Sequence, residues 1–109
     1  MQTITDAEQL NQLKANGAVF ILFGGESCAV CKSLKPKLDS VISQRLPRML
    51  SVYIDCGLSP DICAQYGVFS LPVVKSYIEG MLLAEDSGSF SIEPLMQKIE
   101  RSYSIWLGT

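Results

Sequence analysis

The sequence predicts an α/β fold in which a mixed central β-sheet carries helices on both faces, in the order βαβαβαββα. Three observations lead there. The run from Ala18 to Phe23 is continuously apolar and β-prone, as in a strand covered on both faces. Segments of helical periodicity connect the early strands. Near the end, Glu79-Gly80 separates two strand-like runs, Val73 to Ile78 and Met81 to Glu85, and reads as the turn of an antiparallel hairpin.

The elements follow in order. Gln2 to Ile4 reads as a short first strand. Thr5-Asp6-Ala7-Glu8 has the spacing of a capping box, and Leu10 and Leu13 sit at helical spacing, so a first helix is expected from about Asp6 to Asn16, before Gly17. Ala18 to Phe23 is expected at the centre of the sheet, with Gly24 and Gly25 ending it. Ser27 is placed to cap a helix from about Cys28 to Gln44, whose buried stripe is Leu34, Leu38, Val41 and Ile42 and whose stop is Pro47.

Ser51 to Asp55 alternates as a third strand. Ser59 to Tyr66 reads as a short helix with Pro60 at its first position and Gly67 closing it. After the hairpin, Ser91 is placed to cap a last helix that turns Ile92, Leu95, Met96, Ile99 and Tyr103 inward. Tyr103 and Trp106 are expected to seal the core.

Composition bounds the function. At 109 residues, 48% hydrophobic and 18% charged, the chain suits one globular domain over residues 1–109, with no repeat, linker or low-complexity stretch. A net charge of −2 and a pI near 5.0 argue against nucleic acid as a partner, since phosphate neutralisation needs clustered basic residues in excess. The lysines and arginines between Lys14 and Arg48 are interspersed and read as solvated helix faces. The start MQTITDAEQL lacks the basic-then-apolar pattern of a secretory signal, and the longest apolar run is too short to span a bilayer. A cytoplasmic location and no membrane partner are therefore expected.

In a reducing compartment a close cysteine pair is more often catalytic or metal-binding than structural. Cys28-Ala29-Val30-Cys31 falls where the buried strand meets a helix N-terminus. Sulfurs three residues apart on a first helical turn can close into a disulfide or both be free. The first lies among unpaired backbone N–H groups at the positive end of the dipole, which favours its thiolate. This assigns Cys28 as the nucleophile and Cys31 as the thiol that resolves a mixed disulfide. The rival reading of a CxxC is half of a zinc site. Its second pair would have to be Cys56 and Cys63, with six residues between them in a chain without histidine, which is a poor match. Cys56 and Cys63 are expected to be small buried hydrophobes, with a second disulfide or regulatory thiol pair as the alternative.

At these residues the sequence resembles the thioredoxin family, over essentially its whole length. Phe23-Gly24-Gly25-Glu26-Ser27-Cys28-Ala29-Val30-Cys31-Lys32 matches the family's strand-loop-helix signature, Pro36 its helix proline, and Tyr66-Gly67-Val68-Phe69-Ser70-Leu71-Pro72 the approach to its cis-proline loop. Gly80 and Gly88 fall at its hairpin and late glycine positions. The resemblance implies a thioredoxin-like fold and dithiol-disulfide exchange with protein substrates, without metal or bound cofactor. An electron donor of the thioredoxin reductase type is implied too.

It further implies that Pro72 is cis and sits against the dithiol, that Leu71 offers its backbone to an extended substrate segment, and that Ser27, Ala29, Val30 and Gly88 complete the substrate surface. Ser27 stands where the family has a tryptophan, Gly24-Gly25 where it has an aromatic-containing pair, and Ala29-Val30 where it has Gly-Pro. Leu22 falls where many members bury an aspartate, and Ser51 where that acid's lysine partner would lie, so the usual proton acceptor for Cys31 is expected to be missing. A protein-binding module of the same fold with little redox turnover is the alternative reading.

Overall fold

The computed structural model describes residues 1–108; Thr109, the last residue of the expected domain, lies outside them. The elements are β1 (Gln2–Thr3), α1 (Ala7–Ala15), β2 (Ala18–Gly24), α2 (Ala29–Arg45), β3 (Met49–Asp55), α3 (Pro60–Gln65), β4 (Val73–Ile78), β5 (Met81–Ser87) and α4 (Ile92–Leu107), in the expected order. The five strands are arranged β1-β3-β2-β4-β5, parallel from β1 through β3 to β2 and antiparallel from β2 through β4 to β5. All seven residues of β2 are buried, as its unbroken apolar run requires of a central strand covered on both faces.

Alternation along β2 divides the core in two. Phe20 and Leu22 face Leu38 and Ile42 of α2 and Leu95, Met96 and Ile99 of α4. Val19, Ile21 and Phe23 face the other way, with Leu10 of α1 and Ile62 and Cys63 of α3. Tyr103 is 4% exposed, its hydroxyl accepts from the Arg48 N–H at 2.7 Å, and its ring lies 6.0 Å from that of Trp106, so this pair closes the first core as expected.

The differences from expectation lie at element ends. The cap of α1 is Asp6, not Thr5: its carboxylate accepts from the N–H groups of Glu8 (2.9 Å) and Gln9 (3.3 Å), so the chain enters the helix one residue later than a capping box would have it. Ser91 precedes α4 without a side-chain capping bond. Strand β3 begins at Met49, two residues early, because pairing with β2 extends to Met49↔Ala18. Strand β5 runs on to Ser87, paired with Val73.

Candidate active site

The carboxyl ends of β2 and β3 and the start of β4 coincide, since Gly24 is in register with Asp55 and Phe23 with Val73. At this end β2 turns into α2. The Cys28 N–H donates to the Gly25 carbonyl at 3.1 Å, closing the turn, and Cys28 itself takes the N-cap position with φ −98° and ψ 99°. Its sulfur accepts from the Cys31 N–H at 3.2 Å. Ser27 is therefore not the cap, as the sequence had suggested; it stands exposed in the turn, and a cysteine sulfur does the capping. The first turn of α2 holds no acidic residue to oppose a thiolate there.

Cys28 and Cys31 form a disulfide, with Cα atoms 5.2 Å apart. Their environments differ as the role assignment needs: Cys28 is half-buried at the rim and Cys31 is fully buried one turn in. An opening next to Cys31 is kept by Gly24. A Cβ there would sit 3.0 Å from the Cys31 Cβ and 2.8 Å from the Tyr53 hydroxyl, so this glycine is demanded by close approach, not by backbone angle.

The Leu71–Pro72 bond is cis, as the resemblance implied. The Pro72 carbonyl accepts from the Gly88 N–H at 3.0 Å, and Leu71 reaches the active-site turn, its Cδ1 3.3 Å from where a Cβ on Gly25 would stand. Gly88 also lines a shallow cavity of about 380 Å³ with Ala29, Val30, Leu34 and Phe90. Leu71 is thus brought to the turn before Cys28, and Gly88, bonded to Pro72, lies beside Ala29 and Val30 of the first turn of α2.

Two residues to which the motif assigned no role lie on the segments that build this end of the sheet. Phe69 is 86% exposed on the approach to Pro72, the largest apolar side chain offered to solvent. Its signal was an aromatic in a loop between two residues, Gly67 and Pro72, that fix backbone turns. Tyr53 lies in register with Leu22 on the face covered by α2. The strand pattern gave Tyr53 a strand; only the pairing register puts its hydroxyl at Gly24. Leu22 is fully buried among apolar neighbours, and the Ser51 hydroxyl donates to Asp39 Oδ1 at 3.0 Å, away from the dithiol.

Cys56 and Cys63 are joined in a second disulfide with Cα atoms 5.7 Å apart, which corrects the expectation of two free buried thiols. The short connection from β3 into α3 brings them together. Cys56 donates its N–H to the Gly24 carbonyl at 2.8 Å, and the Cys63 carbonyl accepts from Val68 at 2.8 Å. With all four cysteines so engaged, no group of three metal-ligating side chains is assembled among the described residues. No helix among them is long and apolar enough to cross a membrane.

The thioredoxin family model matches residues 1–101. The chain is 28% identical over 101 residues to a thioredoxin of Chlamydia trachomatis, covering 93% of this chain and 98% of that one. It is 32% identical over 80 residues to a thioredoxin of Chlamydia caviae, covering 73% and 78%. Among solved structures, Plasmodium falciparum thioredoxin superposes with a TM-score of 0.79 at 22% identity, over 93% of this chain and 98% of that one.

Proposed function

The chain belongs to the thioredoxin family and is a thiol-disulfide oxidoreductase; from that premise we propose that it reduces disulfides of protein clients, with Cys28 as nucleophile and Cys31 as resolving thiol. The observation that carries the assignment is the asymmetry of the pair: a half-buried sulfur capping a 17-residue helix, and a buried partner one turn in.

The reaction begins from the reduced pair. The Cys28 thiolate, favoured by the Cys31 N–H and the helix dipole, attacks one sulfur of the client disulfide and expels the other as a thiolate. Cys31 then loses its proton and attacks Cys28 Sγ. The Cys28–Cys31 bond forms, the bond from Cys28 to the client breaks, and the client sulfur that Cys28 had attacked leaves as a thiolate that takes up a proton. Two electrons pass to the client. A reductase-type donor returns them by the reverse exchange, and no metal or bound cofactor takes part.

The client segment lies extended along Leu71, whose backbone precedes β4 and adds a strand pairing, with Pro72 holding that edge against the dithiol. Ala29, Val30 and Gly88 form one wall of the contact and Ser27 its rim. Phe69 and Val30, both well exposed, supply apolar contact where the sequence carries no aromatic before Cys28. The domain acts as one unit over residues 1–109, in a compartment reducing enough to keep the pair reduced, which favours the cytoplasm.

Reduction of insulin disulfides, driven by dithiothreitol or by a thioredoxin reductase with NADPH, tests this reading. Turnover that disappears in Cys28→Ser is the expected result. Turnover surviving in that variant would remove Cys28 from the reaction.

A further inference from the structure

To resolve a mixed disulfide, Cys31 must become a thiolate while fully buried, and burial in apolar surroundings raises a thiol pKa because it penalises the charged form. The strand beneath α2 does not relieve this, since β2 presents Leu22 there. The residue directly beside Leu22 in the sheet is Tyr53, on the same face. Its hydroxyl and the Cys31 Cβ both crowd the one point where Gly24 lacks a side chain, at 2.8 and 3.0 Å. Any other residue at position 24 would wedge between them.

We propose that Tyr53 is a positioning residue of the resolving step, its hydroxyl donating a hydrogen bond to the Cys31 sulfur once the disulfide is open and so stabilising the thiolate. The proposal rests on the reading of Cys31 as the resolving thiol. The hydroxyl stands at Gly24 beside the Cys31 side chain, where a turn about its C–O bond can aim its proton at a sulfur that acquires charge. The phenol is kept in its donating form: burial raises its pKa above the usual value, and the negative charges of Asp55 and Glu26 raise it further. The charged group on the other side is Lys35, one turn beyond Cys31 on α2, whose Nζ lies 4.1 Å from the centre of the Tyr53 ring. It fixes the ring under the helix and adds a positive potential of the sign a thiolate needs.

No proton is transferred by Tyr53 in this scheme. The Cys31 proton leaves to solvent, and the phenol supplies a hydrogen bond worth most when the sulfur is anionic and least when it is a thiol. The effect must therefore appear as a lowered apparent pKa for the resolving step and be lost where Cys31 ionises unaided.

The test uses reduced Cys28–Cys31 with the Cys56–Cys63 disulfide intact, and an excess of an aromatic disulfide such as 5,5′-dithiobis(2-nitrobenzoate). Attack by Cys28 releases one coloured thiolate, and resolution by Cys31 releases a second, so the two steps are timed separately. Tyr53→Phe keeps the ring and its contact with Lys35. The expected result at pH 7 is an unchanged first phase and a second phase slowed about threefold to tenfold, its pH profile displaced upward until the variants converge at alkaline pH. A second phase of wild-type rate and profile in Tyr53→Phe would overturn the proposal. Failure of the underlying reading looks different: the wild type itself would show no second phase dependent on Cys31. Gly24→Ala, which thrusts a methyl between the hydroxyl and the Cys31 side chain, should slow the second phase in the same direction, and an unaffected second phase there would count against the contact.

Discussion

The two disulfides of this chain have the same chemistry and different surroundings. Cys28–Cys31 opens a long helix, with one sulfur at the rim accepting a backbone N–H and the other buried behind it. Cys56–Cys63 ties the end of β3 to a six-residue helix, with Cys63 3% exposed and packed in the apolar cluster that holds Ile62 and Val68. A sulfur can be attacked only where it can be reached, and it leaves readily only where its negative charge is stabilised. The first bond meets both conditions. In the second, Cys56 is partly exposed but caps no long helix and Cys63 is buried, and its backbone bonds to Gly24 and Val68 brace the active-site turn and the segment leading to Pro72 from behind.

The largest expected effect separates the pairs by activity. Cys28→Ser should lower insulin reduction by at least about a hundredfold, since the attacking atom is gone. Cys63→Ala should leave it within about twofold, as the second bond takes no part in exchange. A comparable loss in both variants would erase the distinction.

Next, Cys31→Ser should accumulate mixed disulfides between Cys28 and client proteins, because attack survives and resolution does not. A non-reducing gel of lysate exposed to the variant would show them. An equal ladder from Cys63→Ser would mean that the second pair also exchanges.

Stability should divide the pairs in the opposite sense. Losing Cys56–Cys63 by Cys63→Ala should cost about 2–3 kcal/mol in denaturant unfolding, through the released loop and the cavity left in the apolar cluster. Removing the rim sulfur by Cys28→Ser, with serine able to cap the helix, should cost less. A midpoint insensitive to Cys63→Ala would make the second bond no clamp.

The smallest predicted change in turnover concerns the strand beneath Cys31. Leu22→Asp should lower stability by roughly a few kcal/mol, because the carboxylate enters an apolar core. It should also quicken resolution of a preformed mixed disulfide at pH 7 and flatten its dependence on pH, by offering a proton acceptor. A folded variant that resolves no faster than wild type would show that proton removal from Cys31 is not limiting.

Much of this was legible in the sequence. The unbroken run Ala18 to Phe23 had to be a doubly covered strand, and the CxxC after it had to open a helix, because periodicity and glycine placement are local properties. What escaped was set by long-range register. Nothing near Tyr53 in the chain says that it stands beside Leu22 and faces Gly24. Nor does the spacing of Cys56 and Cys63 decide between two thiols and a bond, since that depends on how β3 runs into α3. The exchange of Ser27 for Cys28 as helix cap was missed for a local reason: serine is the commoner capping residue, and preference cannot register a sulfur whose position is held by the turn at Gly25.

Graded reduction followed by brief iodoacetamide labelling and mass mapping tests the central contrast most directly. As dithiothreitol is raised under native conditions, Cys28–Cys31 should open first, with Cys28 labelled well before Cys31 and with Cys56–Cys63 still closed. Opening of Cys56–Cys63 at the lower concentration, or faster labelling of Cys31 than of Cys28, would contradict the account.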